Sequence, residues 1–83
     1  MKEEIFKKVV ELISINNHIP PETVTMDSTF EELGMDSLDG LTVINDLENE
    51  YNITLSNEDV AQIKSVQQAV DNLDKILTSQ NHE

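Results

Sequence analysis

Apolar residues recur along most of the chain at intervals of three or four positions, a spacing typical of amphipathic helices. The first such segment carries Ile5, Val9, Leu12 and Ile13, with Phe6 and Val10 widening the apolar stripe. Charged residues fill most of the positions between them. The pattern predicts a first helix that ends near Asn16 and Asn17.

A long connection, about residues 16–35, follows this helix. Pro20 and Pro21 exclude a continuing helix there, because proline lacks an N–H and its ring restricts the residue before it. Phe30 and Leu33 are apolar, and we expect them to anchor the connection to the core. A connection of this length is usually functional or contains a short turn of its own.

The second helix is predicted to begin in the stretch GMDSLDGL, residues 34–41. Asp36 suits the N-cap, Asp39 follows three residues later, and both carboxylates favour the positive end of the helix dipole. Gly40 lowers helix stability by about 1 kcal/mol relative to alanine, without a reason visible at this level. The helix should end near residues 50–52. Its apolar repeat consists of Leu38, Leu41, Ile44, Leu47 and Tyr51.

Two more helices complete the predicted fold. Ser56 with Asp59 resembles a capping box for a short third helix over about residues 57–62, and Ser65 with Gln68 forms a second one. The last helix carries Val66, Ala69, Val70, Leu73, Ile76 and Leu77 on one face. We therefore expect one all-α domain, residues 1–83, built as a small four-helix bundle of three longer helices and a short third one. The core spans about 3–77, and the polar tail, 78–83, should fray.

Charge narrows the range of partners. The chain has 83 residues, with 17 acids against five lysines and a formal net charge of −12. No lysine or arginine lies between Lys8 and Lys64, where twelve acids fall. Such a chain repels nucleic acid and anionic lipid and attracts basic protein surfaces. It also repels itself, so we expect lower stability at low salt.

The sequence contains no cysteine, which excludes disulfides, thiol catalysis and cysteine-based zinc sites. The segment MKEEIFKKVV lacks the apolar core of a signal peptide, and no apolar run approaches membrane-spanning length. We expect a cytoplasmic monomer that does not insert into membranes.

Ser37 is the most conspicuous candidate for chemistry, yet catalysis is improbable. A serine nucleophile needs a base within reach, and the histidines are His18 in the long connection and His82 in the tail. The flanking glycines do not match G-x-S-x-G. An EF-hand loop with Gly40 at its sixth position would place Met35 where an aspartate is required. No catalytic or metal-binding residue is predicted.

Two interpretations of Ser37 remain open at this point. It is either an ordinary residue of a helix start or a substrate for another enzyme. A phosphate attached there would meet the helix dipole and free N–H groups. Asp36 and Asp39 would partly oppose that attraction.

The run EELGMDSLDGLTVINDLENEYNITL resembles the acyl carrier protein family, whose pattern is LG-x-DSL followed by an acidic helix that ends in E-x-E-[FY]. The stretch EDVAQIKSVQQAVDNL resembles the family's third and fourth helices, so the resemblance covers about residues 3–77. The matching positions are Leu33, Gly34, Asp36, Ser37, Leu38, Asp39, Leu47, Glu48, Glu50 and Tyr51.

The resemblance implies that Ser37 carries 4′-phosphopantetheine through a phosphodiester. A phosphopantetheinyl transferase would take this group from coenzyme A, and the terminal thiol would hold acyl groups as thioesters. The chain would thus be a carrier rather than an enzyme. The absence of a base beside Ser37 fits this role, because the transferase would supply the chemistry.

The resemblance also implies roles for two further groups of residues. Partner enzymes with basic patches would dock on the second helix, although each acid taken singly could be a solvated residue and Leu38 could be core. The docking residues are Asp36, Leu38, Asp39, Leu41, Glu48 and Glu50. The interior, which in this family can open to shelter an acyl chain, would consist of Phe30, Leu33, Leu41, Ile44, Leu47, Ala61, Ile63, Val66 and Val70.

Four positions depart from the family pattern: Gly40, Thr42, Asn45 and Asn49. They thin the acidic, partly apolar docking face and put the usual fatty-acid synthase partners in doubt. Fatty-acid synthesis is the first hypothesis, and a polyketide-type or dedicated pathway is the second. A peptidyl carrier fits less well, because Asp36 precedes the serine. The rival from another class is an acidic helical interaction protein or nucleic-acid mimic without a prosthetic group.

Overall fold

The computed structural model describes residues 2–80, which form the predicted all-α bundle. Three longer helices and a short third one are present, and a long loop separates the first two. They are α1 (Lys2–Asn17), a 3₁₀ turn (Pro21–Thr23), α2 (Ser37–Tyr51), α3 (Asn57–Gln62) and α4 (Val66–Gln80). Among residues 2–80 there is no strand, only an isolated bridge between Thr29 and Ser65. None of these helices is long and apolar enough to cross a bilayer.

Helix α1 buries Ile5, Val9 and Ile13, the stripe that the sequence predicts. It ends at Asn17 because His18 adopts a left-handed backbone conformation, with φ of 56°, and the two prolines follow. At the other end of the chain, α4 continues through Gln80, three residues past the boundary expected for the core. The remainder of the predicted polar tail, 81–83, lies outside the described residues.

Helix α2 begins at the predicted N-cap. Asp36 Oδ1 accepts a hydrogen bond from the Asp39 N–H at 2.9 Å, and Asp39 Oδ2 accepts one from the Asp36 N–H at 3.2 Å. This reciprocal pair forms a complete capping box, a feature worth about 1 kcal/mol. The helix ends where Asn52 turns into the left-handed region. Both ends agree with the sequence prediction.

The buried face of α2 differs from the predicted one. It consists of Gly40, Val43, Ile44 and Leu47, whereas Leu38 is 71% exposed and Leu41 is 40% exposed. The interior assignment of Leu41 is therefore wrong. Successive residues are rotated by about 100° around a helix, so a stripe centred on Ile44 and Leu47 leaves Leu38 on the opposite side.

The long loop is attached to the junction between α3 and α4 by two backbone hydrogen bonds. The Phe30 N–H donates to the Lys64 carbonyl at 3.1 Å, and the Val66 N–H donates to the Ser28 carbonyl at 3.0 Å. Phe30 is buried and Leu33 is half-buried against the core, which confirms that both anchor this loop.

Both serines predicted to cap the last two helices do so, but the box predicted for α3 is only half formed: among residues 2–80, Asp59 accepts no hydrogen bond in return from the Ser56 N–H. Ser56 Oγ accepts a hydrogen bond from the Asp59 N–H at 3.1 Å, and Ser65 Oγ accepts one from the Gln68 N–H at 3.2 Å. The second cap departs from the standard box, because Gln68 Oε1 accepts from the N–H of Lys64 at 2.8 Å, one residue earlier than expected.

The core confirms most of the predicted interior. Ile44, Leu47, Ile63, Val66 and Val70 are buried with Phe30, and Leu33 is half-buried. Ala61 is exposed, so its interior assignment is wrong. The six-residue helix that carries it contains no buried residue, although Val60 packs half-buried against the core. Pattern analysis missed five buried residues: Val24, Met35, Val43, Ile53 and Leu55.

The two glycines should respond oppositely to substitution by alanine. Gly40 lies within α2, where an added Cβ would meet only the Phe30 ring, at 3.6 Å, an ordinary contact. We expect Gly40→Ala to raise the free energy of unfolding by up to about 1 kcal/mol. Gly34 has φ of +79°, so Gly34→Ala should lower it by about 1–2 kcal/mol. Urea unfolding of both variants measures the two changes, and a loss of stability in both would contradict the description of Gly40.

Added salt should stabilise the fold, because the net charge of −12 makes the native state repel itself. Raising NaCl from about 10 mM to about 0.15 M shortens the Debye length from about 30 Å to about 8 Å. We expect the melting temperature to rise by several degrees in a calorimetric scan. Tetramethylammonium chloride should act equally well, since screening needs no specific cation. A melting temperature independent of salt would show that self-repulsion is negligible.

Candidate functional site

Ser37 is the first residue of α2, directly after the N-cap, and its side chain is exposed. Within residues 2–80 its hydroxyl takes part in no hydrogen bond. The Asp39 N–H already donates to Asp36, so one of the amides that a phosphate would meet at this helix end is occupied. The site therefore presents a free hydroxyl on a rigid helix start.

The apolar residues nearest to Ser37 face solvent rather than the core. Leu38 follows the serine directly and is largely exposed, and Leu41 lies one turn further along, partly exposed. Leu38 is thus not packed in the core, and its docking role stays a prediction. Asp36 is exposed and Asp39 half-buried on the same end of the helix. These four predicted docking residues surround the serine.

The remaining predicted docking acids lie at the opposite end of α2. Glu48 is eleven positions beyond Ser37, a rise of roughly 16 Å along a helix axis. Its Oε2 accepts a hydrogen bond from the Leu55 N–H at 2.7 Å, in a partly buried contact. Glu50 Oε2 lies 3.7 Å from Lys8 Nζ. The acids of α2 thus form two separate groups, and the distant group is also engaged within the fold.

Lys8 links this distant end of α2 to α1. It donates a hydrogen bond to Glu11 Oε1 at 2.9 Å and faces Glu50. The hydrogen bond to Glu11 raises the pKa of Lys8 above its ordinary value, and the charges of Glu11 and Glu50 add to the effect, although partial desolvation opposes it. The ammonium group therefore stays charged at neutral pH and offsets part of the acidity there.

A cavity of 580 Å³ opens beside Ser37, between α2, α3 and the end of the long loop. Five predicted interior residues line it: Phe30, Leu41, Ile44, Ala61 and Ile63. Four others, Leu33, Leu47, Val66 and Val70, are not among its lining residues and belong to the packing around it. The wrong interior assignments of Leu41 and Ala61 thus have a common cause, because both border a partly open cavity.

The cavity also involves residues that pattern analysis did not assign to the site. Met35, Gly40, Val60 and Lys64 line it together with Ser37. The only signal for Gly40 in the sequence is a helical glycine without a local reason. Lys64 is the single cationic side chain among the lining residues. Its proximity to Ser37 depends on the hydrogen bond between its carbonyl and Phe30, which no local pattern reveals.

A second cavity, of 280 Å³, lies in the long loop and is lined by Thr23, Thr25, Asp27, Ser28, Glu32 and Leu33. Several of its polar groups are paired within the loop. Ser28 Oγ accepts from the Thr25 N–H at 3.1 Å, and Glu32 Oε1 accepts from the Thr29 N–H at 3.0 Å. In residues 2–80, no group of three or more His, Cys, Asp or Glu side chains could hold a metal ion.

Comparison with known proteins assigns the chain to a family. The family described as "Phosphopantetheine attachment site" matches residues 7–73. An acyl carrier protein of Cyanidium caldarium is 42% identical over 82 residues, covering 96% of this chain and 95% of the relative. One of Chlorobium phaeobacteroides is 38% identical over 72 residues, covering 86% and 87%.

The third relative is longer than this chain. It is acyl carrier protein 1, chloroplastic, of Hordeum vulgare, which is 37% identical over 78 residues, covering 93% of this chain but 52% of the relative. The family match contains all of α2, α3 and the cavity beside Ser37. The chain belongs to the acyl carrier protein family, whose members carry 4′-phosphopantetheine.

Proposed function

We propose that Ser37 is the residue to which phosphopantetheine is attached. The observation that carries this proposal is the exposed Ser37 hydroxyl at the start of α2, beside a cavity and inside the matched attachment-site family. The residues around it fit the group. The hydroxyl has no competing partner among residues 2–80, and a phosphodiester there would point away from the core.

The chemistry divides between this chain and its partners. When bound, phosphopantetheine supplies a terminal thiol that holds acyl groups as thioesters. Ser37 would contribute the oxygen that bonds to the phosphorus of the phosphopantetheine group, while the pyrophosphate bond of coenzyme A would break and release adenosine 3′,5′-bisphosphate. The serine proton would leave to a base on the transferase, because neither histidine of this chain is near Ser37 in sequence. Asp36 and Asp39 hold the helix start that positions the serine. We therefore propose that the chain acts as a carrier and not as a catalyst.

The cavity beside Ser37 supports a role in sheltering the acyl group. Its volume of 580 Å³ falls in the range of about 300–1,000 Å³ that is usual for small-ligand sites. Phe30, Ile44 and Ile63 make its wall apolar, while Asp36 and Lys64 stand among its polar lining residues. Burial of an acyl chain there would be favoured by the hydrophobic effect.

The surface around Ser37 supports docking of partner enzymes with basic patches. Leu38 and Leu41 offer exposed apolar contacts, and Asp36 and Asp39 add negative charge beside them. Apolar contacts give affinity, and charge complementarity speeds encounter, which suits a carrier that visits several enzymes. Glu48 and Glu50 would extend this surface toward the other end of α2. The same negative charge disfavours nucleic acid as a partner.

The pathway and the compartment stay predictions. Thr42 and Asn49 are exposed on α2 and reduce its negative charge relative to the family pattern, and the exposed Asn45 replaces an apolar contact residue. Fatty-acid synthesis therefore comes before a polyketide-type or dedicated pathway only as the first hypothesis. The relatives include a chloroplast protein and a bacterial one. A cytoplasmic location and a monomeric state are our proposals. The family membership argues against the rival nucleic-acid mimic without a prosthetic group.

Ser37→Ala should abolish modification without unfolding the protein. Incubation of the unmodified chain with coenzyme A, magnesium and a promiscuous phosphopantetheinyl transferase should add one phosphopantetheine unit in intact mass spectrometry. Ser37→Ala should gain nothing, because the attacking oxygen is missing. Ser56→Ala is the matched control: it removes another serine at a helix start, the N-cap of α3, and should still be modified. Modification of Ser37→Ala, or none of the wild type, would refute the proposal.

Two variants of Glu48 should separate the effect of its hydrogen bond on stability from the effect of its charge on docking. Glu48→Ala leaves the partly buried Leu55 N–H without its acceptor and should lower the free energy of unfolding by about 1–3 kcal/mol. Glu48→Gln keeps an oxygen acceptor and should lose less than half as much. Both variants remove the charge, so both should raise the KM of the transferase for this carrier by a similar factor.

Urea unfolding measures the first effect, and transferase kinetics measure the second. Equal destabilisation by Glu48→Ala and Glu48→Gln would show that the hydrogen bond to Leu55 contributes little. An unchanged KM in both variants would remove Glu48 from the docking surface.

A further inference from the structure

Gly40 is a buried residue in the second turn of α2 whose presence the fold does not require. Its φ is not positive, so the backbone needs no glycine. An added Cβ would meet only Phe30, at 3.6 Å from Cδ2 and 4.0 Å from Cε2, which are ordinary contact distances. Glycine lowers helix stability relative to alanine. Neither the backbone conformation nor local helix stability therefore accounts for a glycine at this position.

The surroundings of Gly40 indicate that a glycine at this position leaves room in the cavity. Gly40, Phe30 and Ser37 line the same cavity. Gly40 lies three residues after Ser37, and residues so spaced are neighbours on a helix surface. It therefore borders the part of the cavity nearest to Ser37. A larger residue there would place its outer atoms either against the Phe30 ring or in the cavity itself.

Attachment of the arm to Ser37 determines which part of an acyl chain would lie beside Gly40. An acyl group enters the cavity while its carbonyl remains joined to an arm that starts at Ser37, so the carbonyl end stays on the Ser37 side. The far end of the chain would then lie among other apolar lining residues, such as Ile44 and Ile63. Width beside Gly40 thus matters for the atoms close to the carbonyl.

We infer that Gly40 is a specificity-determining position that lets this carrier shelter acyl groups branched next to the carbonyl. The inference rests on the proposed attachment at Ser37 and on the proposed shelter in the cavity. A straight acyl chain needs only the width of one methylene, whereas a branch at the second carbon needs the additional room beside Phe30. A β-branched residue at position 40 closes this room and selects for straight chains.

Three isomeric seven-carbon acyl groups test the inference at constant hydrophobicity: heptanoyl, 2-methylhexanoyl and 5-methylhexanoyl. Each is loaded from its coenzyme A thioester by a promiscuous transferase, and loading is verified by intact mass. The readout is the melting temperature of each acylated form minus that of the form carrying the arm alone. The chains compared are the wild type, Gly40→Val, the milder Gly40→Ala, and Asn49→Ala as a control. Asn49→Ala changes an exposed position of α2 that does not line the cavity.

In the wild type, all three groups should raise the melting temperature to a similar extent. In Gly40→Val, the rise from 2-methylhexanoyl should fall by about 3–6 °C, the equivalent of one methyl group that is no longer buried. The rises from heptanoyl and 5-methylhexanoyl should be kept. Gly40→Ala should show the same selectivity to a smaller extent, and it serves if the valine variant does not fold. Asn49→Ala should behave as the wild type.

Three other results would contradict the inference or the proposals on which it rests. Full loading with equal losses for all three isomers would show that Gly40 borders the cavity without selecting cargo. Full loading with no loss in either Gly40 variant would remove Gly40 from the wall that cargo meets. Absence of any mass gain in the wild type would refute the attachment at Ser37 itself, and the inference with it.

Discussion

The arrangement of the site depends on the attachment of the long loop to the junction between α3 and α4. Two backbone hydrogen bonds, from Phe30 to Lys64 and from Val66 to Ser28, hold the loop there. They place the Phe30 ring against Gly40 and so build one wall of the cavity beside Ser37. Helix α3 contains no fully buried residue and packs on the core through the half-buried Val60, so the segments that flank it also contribute to its position. The cavity is therefore a product of the loop as much as of the helices.

The acids at the two ends of α2 take part in the fold, and the proposed docking of partners would use the same side chains. Asp36 and Asp39 close the capping box that starts the helix, and their charge still faces solvent around Ser37. Glu48 holds the chain after α2 through the Leu55 N–H. Negative charge on both sides of a serine is unsuitable for a nucleophile that must activate itself. It is compatible with a serine that another enzyme modifies, because that enzyme supplies the base and can dock through complementary charge.

Much of the fold and the position of the central serine could be predicted because their signals are local. N-caps depend on side chains a few residues apart, and Asp36, Ser56 and Ser65 all cap where the sequence places them. The predictions were wrong where packing between helices determines which side of a helix is buried. The stripe through Leu38 and Leu41 satisfies helical spacing, yet Gly40 and Val43 are the buried neighbours of Ile44. Periodicity identifies a helix more securely than it identifies which of two adjacent stripes faces the core.

The sequence by itself determined the helices, their caps, the strong negative charge and the family to which the chain belongs, because each of these depends on residue type and short-range spacing. Tertiary structure alone decided which residues enclose the cavity and which side of α2 remains open. Phe30, Gly40 and Lys64 are separated along the chain, and they meet only when the loop pairs with the start of α4. Contacts between residues so far apart in sequence depend on packing between helices and loops, and short-range sequence patterns do not predict that packing.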